Sequence, residues 1–426
     1  MAKQAGPMNI SLVGVNHSTT PVAVREKVAI NAEQLESSLL LLRHYVPHGI
    51  ILSTCNRTEV YAIGNQPTEE AIINFLNATT GVSFTDLLPH IYLREDKTAF
   101  KHLFRIASGL DSMIIGEYEV LGQVRQALAS AESVNMVTPQ LRHIFQSAIR
   151  TGRQVRDETG ISRSALSVSS VAVDLAAKIV SELRTCKMLI IGAGEAGRLV
   201  AKVARERGVS QIVVANRTWE KASLLTETLG GTAVELDNLQ EELSTANIVV
   251  TCTGAPDRIL DSKRVEEAMK NHPDFPMVII DIAVPRNVEP EVKQIDNVFL
   301  YNIDDLTKVS KVNRQQRKGE VKAAEQIVAA EVTRCLAGWS AFETRPVIGA
   351  LMEKAEDIRQ QQLDKTLKKL RSLSEDERYS LDAMTKSIVT KILQDPIRYL
   401  KENKNSDDSP GIVGQLFQLE MEERGE

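Results

Sequence analysis

Cys55 is the residue of this sequence best placed to do chemistry. It follows a short apolar run, Gly49-Ile50-Ile51-Leu52, predicted to be a strand, and precedes residues predicted to form a polar loop, Asn56-Arg57-Thr58-Glu59. The thiolate is the reactive form of cysteine, and a fixed positive charge such as that of Arg57 lowers the pKa of a thiol. A glycine-rich loop of the dinucleotide-binding kind lies further along the chain. Together these features predict a thiol that captures an acyl group and a nicotinamide that reduces it.

The glycine-rich loop stands in the sequence context that dinucleotide binding requires. It follows a predicted strand at 188–191 and leads into a predicted helix at 199–207. Its glycines allow a tight turn and a close approach of pyrophosphate to a helix N-terminus. The alternative is a nucleotide-binding fold that has lost its ligand. The loop residues are Gly192, Ala193, Gly194, Glu195, Ala196 and Gly197.

The residues after the next predicted strand bear on the choice of cofactor. An NAD-selective site usually places Asp or Glu there, against the ribose 2′-hydroxyl, whereas this chain has Asn216, Arg217 and Thr218. An arginine at this point can pair with a 2′-phosphate. The predicted cofactor is therefore NADPH, and the alternative for Arg217 is a solvated surface side chain.

The other three cysteines lack the setting of Cys55 and are interpreted as structural. Cys186 precedes a predicted strand, Cys252 lies within one, and Cys335 falls on a predicted helix. With wide spacing and no CxxC pair, neither a zinc site nor a disulfide framework is expected. Without its polar neighbours, Cys55 would itself be interpreted as a small buried hydrophobe. His102 lies among apolar residues of a predicted helix and is by default a packing residue.

The hydrophobic pattern of the 426 residues predicts an α/β protein of several domains. An α+β region with strands on both sides of Cys55 comes first, and helices follow between 98 and 156. Strands then alternate with helices, as in a Rossmann-type, doubly wound parallel sheet. A long helix up to Pro346, a second helical stretch from Leu351 to Leu370 and a third beyond Leu381 complete the chain.

Three domains are predicted from these patterns. Extended helices with few aromatic residues often pack against a second copy, so we expect a dimer. The boundaries are 1–163 for an N-terminal catalytic domain, 164–306 for a Rossmann domain that binds NADPH, and 307–426 for a helical dimerisation domain with a polar tail.

Composition and charge limit the location and the partners. We expect a cytoplasmic protein, because no apolar stretch is long enough to span a bilayer and the N-terminus lacks a secretory signal. The net charge of −5 argues against a globally basic, nucleic-acid-binding surface. Two basic clusters are candidates for contacts with an RNA backbone, although each could be a solvated face. They are Arg142, Arg150, Arg153, Arg156 and Arg163, and Lys308, Lys311, Arg314, Arg317 and Lys318.

Several segments closely resemble the glutamyl-tRNA reductase family. The resemblance covers nearly the whole chain apart from the extreme N-terminus and the polar tail. The segments that carry it are Gly14-Val15-Asn16-His17, Ser53 to Glu59, His102 to Met113, Gly116-Glu117, Leu121-Gly122-Gln123-Val124 and the glycine-rich loop.

This resemblance implies a reaction and a site. Cys55 would attack the aminoacyl ester of glutamyl-tRNA, and NADPH would reduce the thioester to glutamate-1-semialdehyde, the first committed step of five-carbon tetrapyrrole synthesis. His102 would stand near the thiol in an assisting role. The residues placed in the glutamate pocket are Thr54, Asn56, Arg57, Ser112, Glu117 and Gln123.

The resemblance also implies an assembly. It is a V-shaped homodimer joined by the C-terminal helices, with a long spinal helix linking the domains and tRNA held between the arms. The labile aldehyde would pass to the aminotransferase that acts next.

Two other functions are compatible with parts of the sequence. A dehydrogenase of the shikimate-dehydrogenase type would share the glycine-rich loop and Asn216-Arg217-Thr218 but would not require Cys55. A nucleotide-sensing scaffold would use its long helices to recruit partners and would form no thiol-linked adduct.

Overall fold

The computed structural model describes residues 9–64, 68–162, 167–180, 182–270, 275–306, 318–370, 372–402 and 409–419. Two compact units make up the chain. The larger contains two β-sheets and ends at Ala329, and the smaller is helical and begins at Ala330.

The first sheet places Cys55 at one of its ends. It is antiparallel in the order β2-β3-β1-β4, and its strands are β1 (Asn9–Asn16), β2 (His48–Ser53), β3 (Arg57–Gly64) and β4 (Tyr92–Glu95). The apolar centre of β2 is buried, as expected for a run of β-branched and leucine residues within a sheet. Ser53 pairs with Thr58, so the intervening residues form the connection in which Cys55 lies.

Helices pack around this sheet. Helix α7 begins at Thr138, whose hydroxyl accepts a hydrogen bond from the Leu141 amide, and Pro139 occupies its first turn. The helices are α1 (Val22–Val28), α2 (Leu35–Leu42), α3 (Thr68–Thr80), α4 (Phe84–Leu87), α5 (Asp96–Ala107), α6 (Glu119–Ser133) and α7 (Pro139–Glu158).

The second sheet is parallel and doubly wound, with the order β10-β9-β8-β5-β6-β7. The strand order reverses between β5 and β8, and ligands of such sheets bind outside the carboxyl ends of the strands at that point. The strands are β5 (Lys187–Ile191), β6 (Gln211–Asn216), β7 (Thr232–Glu235), β8 (Ile248–Thr251), β9 (Met277–Asp281) and β10 (Val298–Asn302). The helices are α8 (Val168–Ile179), α9 (Glu195–Glu206), α10 (Trp219–Leu229), α11 (Leu239–Leu243) and α12 (Ser262–Met269).

Each face of the parallel sheet has its own apolar core. Met188 and Ile190 of β5 belong to one cluster of buried side chains, and Leu189 and Ile191 belong to the other. This division follows from the period of two along a strand. The first cluster also contains Val22 of α1, so the N-terminal region packs directly against one side of the parallel sheet and its helices.

The smaller unit is built from helices. A single helix, Lys318–Lys369, begins before this unit, continues into it and runs through Pro346. The prediction that the helix ends at Pro346 is therefore wrong, and the first two predicted stretches are one helix. Two more helices follow, Glu375–Glu402 and Ser409–Leu416. Val347, Leu351 and Leu393 belong to their small shared core.

Several predicted features fall outside the described residues. Residues 307–317, with most of the second basic cluster, are among them, and so is Arg163. Within the ranges that the structure describes, no helix combines the length and the apolar character needed to cross a membrane.

Candidate active site

Cys55 lies in a tight connection between β2 and β3. The Thr54 amide donates to the Arg57 carbonyl at 2.8 Å, and the Asn56 amide donates to the Thr54 hydroxyl at 3.1 Å. The His17 amide holds the connection from the end of β1 by donating to the Asn56 carbonyl at 2.9 Å. Cys55 is half-buried. These backbone contacts fix the position of the thiol at the sheet end.

A pocket of about 630 Å³ opens beside this thiol. Part of its wall is the Cys55 connection, and another part is the chain between α1 and α2. A third part, Pro256, Val284 and Pro285, comes from the loops after β8 and β9, at the carboxyl edge of the parallel sheet. The pocket therefore brings the thiol and the edge expected to bind a nicotinamide into one space.

Arg57 is not placed as the sequence suggested. Arg57, Thr58 and Glu59 are the first residues of β3 and are buried, so the expectation of a polar loop beyond Asn56 is wrong. The Arg57 guanidinium donates to the Glu59 carboxylate at 2.9 Å and to the Asp111 carbonyl at 2.7 Å. Burial and nearby carboxylates raise the pKa of the thiol, so the prediction that Arg57 keeps this pKa low is also wrong.

Glu59 is the centre of this buried network, and the sequence reasoning did not assign it to the site. Its carboxylate accepts hydrogen bonds from Arg57, from His102 Nε2 at 3.0 Å, from the Tyr61 hydroxyl at 2.7 Å and from the Tyr92 hydroxyl. Burial alone would raise the pKa of Glu59, but His102 and Arg57 hold it well below its usual range. Residues two apart on a strand share a face, so the spacing of Arg57 and Glu59 was compatible with their pairing.

His102 is held between two carboxylates. Its Nδ1 lies 3.5 Å from the Asp111 carboxylate, which Arg105 also binds through Nε at 3.0 Å and Nη2 at 2.8 Å. Burial lowers the pKa of His102, but Glu59 and Asp111 outweigh burial and raise it. Among the described residues, neither ring nitrogen forms a hydrogen bond with the Cys55 thiol. In this arrangement His102 orders the network around Arg57 and Glu59.

Two acidic side chains act on the thiol from the start of α6. Burial, Glu117 and Glu119 together raise the pKa of Cys55 to about 12, whereas Arg25 lowers it. Burial also raises the pKa of Glu117, which the Ser112 hydroxyl lowers, and raises that of Glu119 to about 7. The structure thus places Ser112 close to Glu117, and both are buried.

Asn56 and Gln123 were also predicted to belong to the substrate pocket. Asn56 is buried, and its Oδ1 has no hydrogen-bond partner within the described chain. Gln123 is half-buried on α6, one turn after Glu119. A buried polar atom without a partner is costly unless a ligand or water meets it, so Asn56 has a free acceptor to offer.

The Glu119→Gln variant tests whether Glu119 raises the pKa of Cys55. Removing one carboxylate lowers the pKa of Cys55, so alkylation of Cys55 by iodoacetamide at pH 8 is expected to accelerate by about three- to tenfold. Peptide mass spectrometry would measure the rate at Cys55, with Cys186 as the internal control. An unchanged rate would contradict a direct effect of Glu119 on the thiol.

The glycine-rich loop has the form that a pyrophosphate site needs. Gly192 has a φ of +119°, and a Cβ on Gly197 would lie 1.9 Å from the Gly192 carbonyl oxygen, so only glycine fits at either position. At Gly194 a Cβ would meet nothing within 4 Å, and no side chain caps helix α9. The amides at the start of α9 are thus open to an anion, and the loop fits a dinucleotide.

The residues after β6 divide between loop support and solvent exposure. Asn216 Oδ1 accepts from the Ala193 amide at 3.2 Å, and Asn216 Nδ2 donates to the Thr218 carbonyl at 2.8 Å. Arg217 is 82% exposed and lies 4.0 Å from the equally exposed Glu33. An ion pair of this kind contributes little, so the guanidinium is available to a ligand. Glu195 pairs with Arg198 at 2.6 Å.

Alanine substitutions at Gly197 and Gly194 separate the roles of these two glycines of the loop. In Gly197→Ala the new Cβ forces the loop apart. Cofactor affinity is therefore expected to fall by at least about tenfold, and the melting temperature is expected to fall as well. In Gly194→Ala the loop has room, so only cofactor affinity is expected to fall, because the methyl group meets the pyrophosphate. Fluorescence titration and thermal melting would measure both. Normal affinity in Gly197→Ala would contradict the assigned site.

Comparison with known proteins places the chain in a family. A glutamyl-tRNA reductase from Natranaerobius thermophilus is 39% identical over 424 residues, which cover 97% of this chain and 93% of that protein. The chain belongs to the glutamyl-tRNA reductase family. A second glutamyl-tRNA reductase, from Carboxydothermus hydrogenoformans, is 39% identical over 422 residues and 97% of this chain.

Family models agree with this assignment along the chain. The glutamyl-tRNA reductase N-terminal domain matches residues 13–159, and the glutamyl-tRNA reductase dimerisation domain matches 323–419. Between them, 174–309 match the shikimate / quinate 5-dehydrogenase model, so this region binds a pyridine nucleotide. That match does not include Cys55, and the similarity to shikimate dehydrogenases is a property of the nucleotide-binding region.

A solved structure supports the same fold. The glutamyl-tRNA reductase of Methanopyrus kandleri aligns with a TM-score of 0.53 and 30% identity, and it covers 96% of this chain and 99% of that chain. The predicted α/β fold is confirmed: an N-terminal domain, a Rossmann-type domain and a C-terminal helical region. The predicted membership of the glutamyl-tRNA reductase family is confirmed as well.

Proposed function

We propose that this chain reduces glutamyl-tRNA to glutamate-1-semialdehyde through a thioester on Cys55, with NADPH as the reductant. This is the first committed step of the five-carbon route to tetrapyrroles. The observation that carries the proposal is the shared pocket, because Cys55 and the loops after β8 and β9 line one space of about 630 Å³. Covalent capture in that space divides a difficult reduction into two easier steps.

The first step is acyl transfer. The Cys55 thiol loses its proton, its sulfur forms a bond to the ester carbonyl carbon, and the bond from that carbon to the ribose oxygen of the tRNA breaks. The ribose oxygen takes up a proton and the tRNA leaves. In the second step, a nicotinamide held by the glycine-rich loop would supply the hydride that reduces the thioester carbon to the aldehyde, and the C–S bond would break so that Cys55 leaves as the thiolate.

Because the pKa of Cys55 is raised, the substrate itself helps to form the reactive thiolate. The α-ammonium group of a glutamyl ester is attached to the carbon next to the one attacked, so it reaches the active site together with the ester. Glu117 and Glu119 are the carboxylates that disfavour the thiolate, and an ammonium group beside them offsets their charge. The thiol is thus protected until the aminoacyl ester binds.

The remaining site residues have supporting roles in the proposal. Thr54 lines the pocket beside Cys55, Asn56 offers a free acceptor next to the thiol, and Ser112 and Gln123 supply further polar groups outside the pocket wall. Arg57 and His102 hold the network beneath the pocket through Glu59. In the nucleotide-binding region, 192–197 hold the pyrophosphate and Arg217 pairs with the 2′-phosphate, which makes the cofactor NADPH.

Partners and location complete the proposal. The chain acts in the cytoplasm as a homodimer through its C-terminal helices, binds glutamyl-tRNA, and passes the aldehyde to the aminotransferase that follows. Exposed Arg150 and Arg153 on α7 are available to an RNA backbone. Arg156 is not, because it donates to the carbonyls of Ala107, Gly152 and Glu117.

Product analysis with two substrates tests the reaction. With glutamyl-tRNA and NADPH, the expected products are deacylated tRNA, aldehyde and oxidised cofactor in equal amounts. A keto acid of the shikimate class should cause no oxidation of NADPH. Oxidation with the keto acid and none with glutamyl-tRNA would favour a shikimate-type dehydrogenase, and no oxidation with either would favour a nucleotide-sensing scaffold.

A further inference from the structure

Two neighbouring residues of α1 bind the nucleotide-binding region with opposite charges. Glu26 accepts from Arg286 three times, from Nη2 at 2.7 Å, from Nε at 2.9 Å and from the backbone amide at 3.2 Å. Arg25 donates to the Asp304 carboxylate at 2.8 Å. The Val22 amide also donates to Asp304, at 3.2 Å. One short helix therefore holds two segments of the other region, the loop that carries Arg286 and the helical residues 303–306 that carry Asp304.

One of these two segments, the loop after β9, completes the pocket. Arg286 directly follows Val284 and Pro285, which line the pocket opposite Cys55, and Asp304 follows β10 at the same edge of the sheet. Glu26 lines the pocket from the α1 side. The ion pairs thus join the wall that carries the thiol to the wall that faces the nicotinamide.

The contacts are of the kind that fixes geometry. A bidentate arginine–carboxylate pair specifies orientation as well as distance. The side chains of Arg286 and Glu26 are 18% and 17% exposed, and Arg25 is 2% exposed. Hydrogen bonds from Arg286 hold the pKa of Glu26 low against the opposing effect of its burial. By contrast, the pair between Arg217 and Glu33, which also joins the two regions, is almost fully exposed.

Of the two proposed steps, only hydride transfer needs the contact between α1 and the nucleotide-binding region. Acyl transfer requires the thiol and the tRNA ester, which meet in the catalytic region. Hydride transfer also requires the loop after β9 to stand opposite Cys55, because a small misplacement of reacting groups slows a reaction strongly. A contact that fixes only the junction should therefore affect the second step and not the first.

We propose that Glu26 with Arg286, and Arg25 with Asp304, form a latch that holds the nucleotide-binding region against the Cys55 pocket for hydride transfer. The inference rests on the proposed function. Arg286 is a positioning residue in it: it acts on the reaction through the loop that it anchors.

The experiment measures the two steps separately in Arg286 variants. Acyl transfer is followed with labelled glutamyl-tRNA in the absence of NADPH, and reduction is followed by adding NADPH to the preformed adduct. In Arg286→Gln, reduction is expected to slow about tenfold or more, and acyl transfer to stay within about twofold of the unmodified protein. Arg286→Lys keeps the charge without the bidentate geometry and should lie between the two.

Charge exchange and a matched control complete the test. Glu26→Lys combined with Arg286→Glu should reduce the adduct faster than Arg286→Glu alone, because the ion pair is restored with its charges exchanged. Arg207→Gln removes a pair with Asp174, at 2.8 Å, that lies within the nucleotide-binding region, and it should change neither step.

The outcomes separate the latch from the function on which it rests. If the unmodified protein forms no adduct, the proposed function fails. If the adduct forms but Arg286→Gln reduces it at the normal rate, or if both steps fall in parallel, the latch is overturned and the function stands.

Discussion

Replacing Cys55 with serine is expected to lower NADPH-dependent turnover of glutamyl-tRNA by at least about 10³-fold, as removal of the nucleophile does in other covalent enzymes. A serine hydroxyl is a much weaker nucleophile than a thiol, and His102 is bonded to Glu59 and Asp111 rather than to this side chain. Because the substitution is close in size, melting temperature and cofactor affinity should remain near normal. Initial rates, with thermal melting alongside, provide the measurement.

Cys186→Ser is the matched control for this variant. Cys186 is buried, its thiol donates to the Glu182 carbonyl at 3.1 Å, and it lies before β5 rather than at the pocket. Its replacement should leave turnover unchanged. Retention of more than about a tenth of normal turnover in Cys55→Ser would contradict a thioester mechanism.

Replacing Glu59 with glutamine should have the largest effect on stability. The change leaves the Arg57 guanidinium buried without its carboxylate, and loss of one partner of a buried pair costs about 3–5 kcal/mol. Denaturant unfolding would measure the free energy. Glu132→Gln, which breaks an exposed pair with Arg142 at 2.7 Å, is the control and should cost less than about 1 kcal/mol.

The same variant makes a prediction for pH. The pKa of Glu59 is lower in the folded protein than its ordinary value of 4.5, so its carboxylate stabilises the fold fully above that value. This stabilisation is lost as the pH falls through the pKa of the folded state. The difference in unfolding free energy between the unmodified protein and Glu59→Gln should therefore shrink below about pH 4.5. A difference under 1 kcal/mol at pH 7 would contradict the role of Glu59.

The sequence was informative where local patterns determine structure. The position of Cys55 after an apolar strand, and of the glycine-rich loop between a strand and a helix, follow from periodicity and glycine placement. Both features lie in the structure as predicted. The parallel sheet was also predictable, because its strands are short apolar runs separated by helical patterns.

The polar network could not be predicted in the same way. Arg57 and Glu59 were interpreted as loop residues because they are charged, yet they are buried in β3. Burial is possible because they neutralise each other and because His102, 43 residues from Glu59, completes the set from α5. A partner so distant in sequence leaves no trace in a local pattern.

The junction between the two regions was hidden for the same reason. Glu26 and Arg286 are 260 residues apart, and each alone is an ordinary surface charge in the sequence. Pro346 led to a wrong prediction of a helix end, because a proline usually ends or kinks a helix and here one helix continues through it.

The most direct test of the account is the mass of the peptide that contains Cys55, after incubation with glutamyl-tRNA without NADPH and an acid quench. We predict a gain of one glutamyl group on Cys55, lost on addition of NADPH with release of an equal amount of aldehyde. Production of the aldehyde with no glutamyl group ever detected on Cys55 would contradict it.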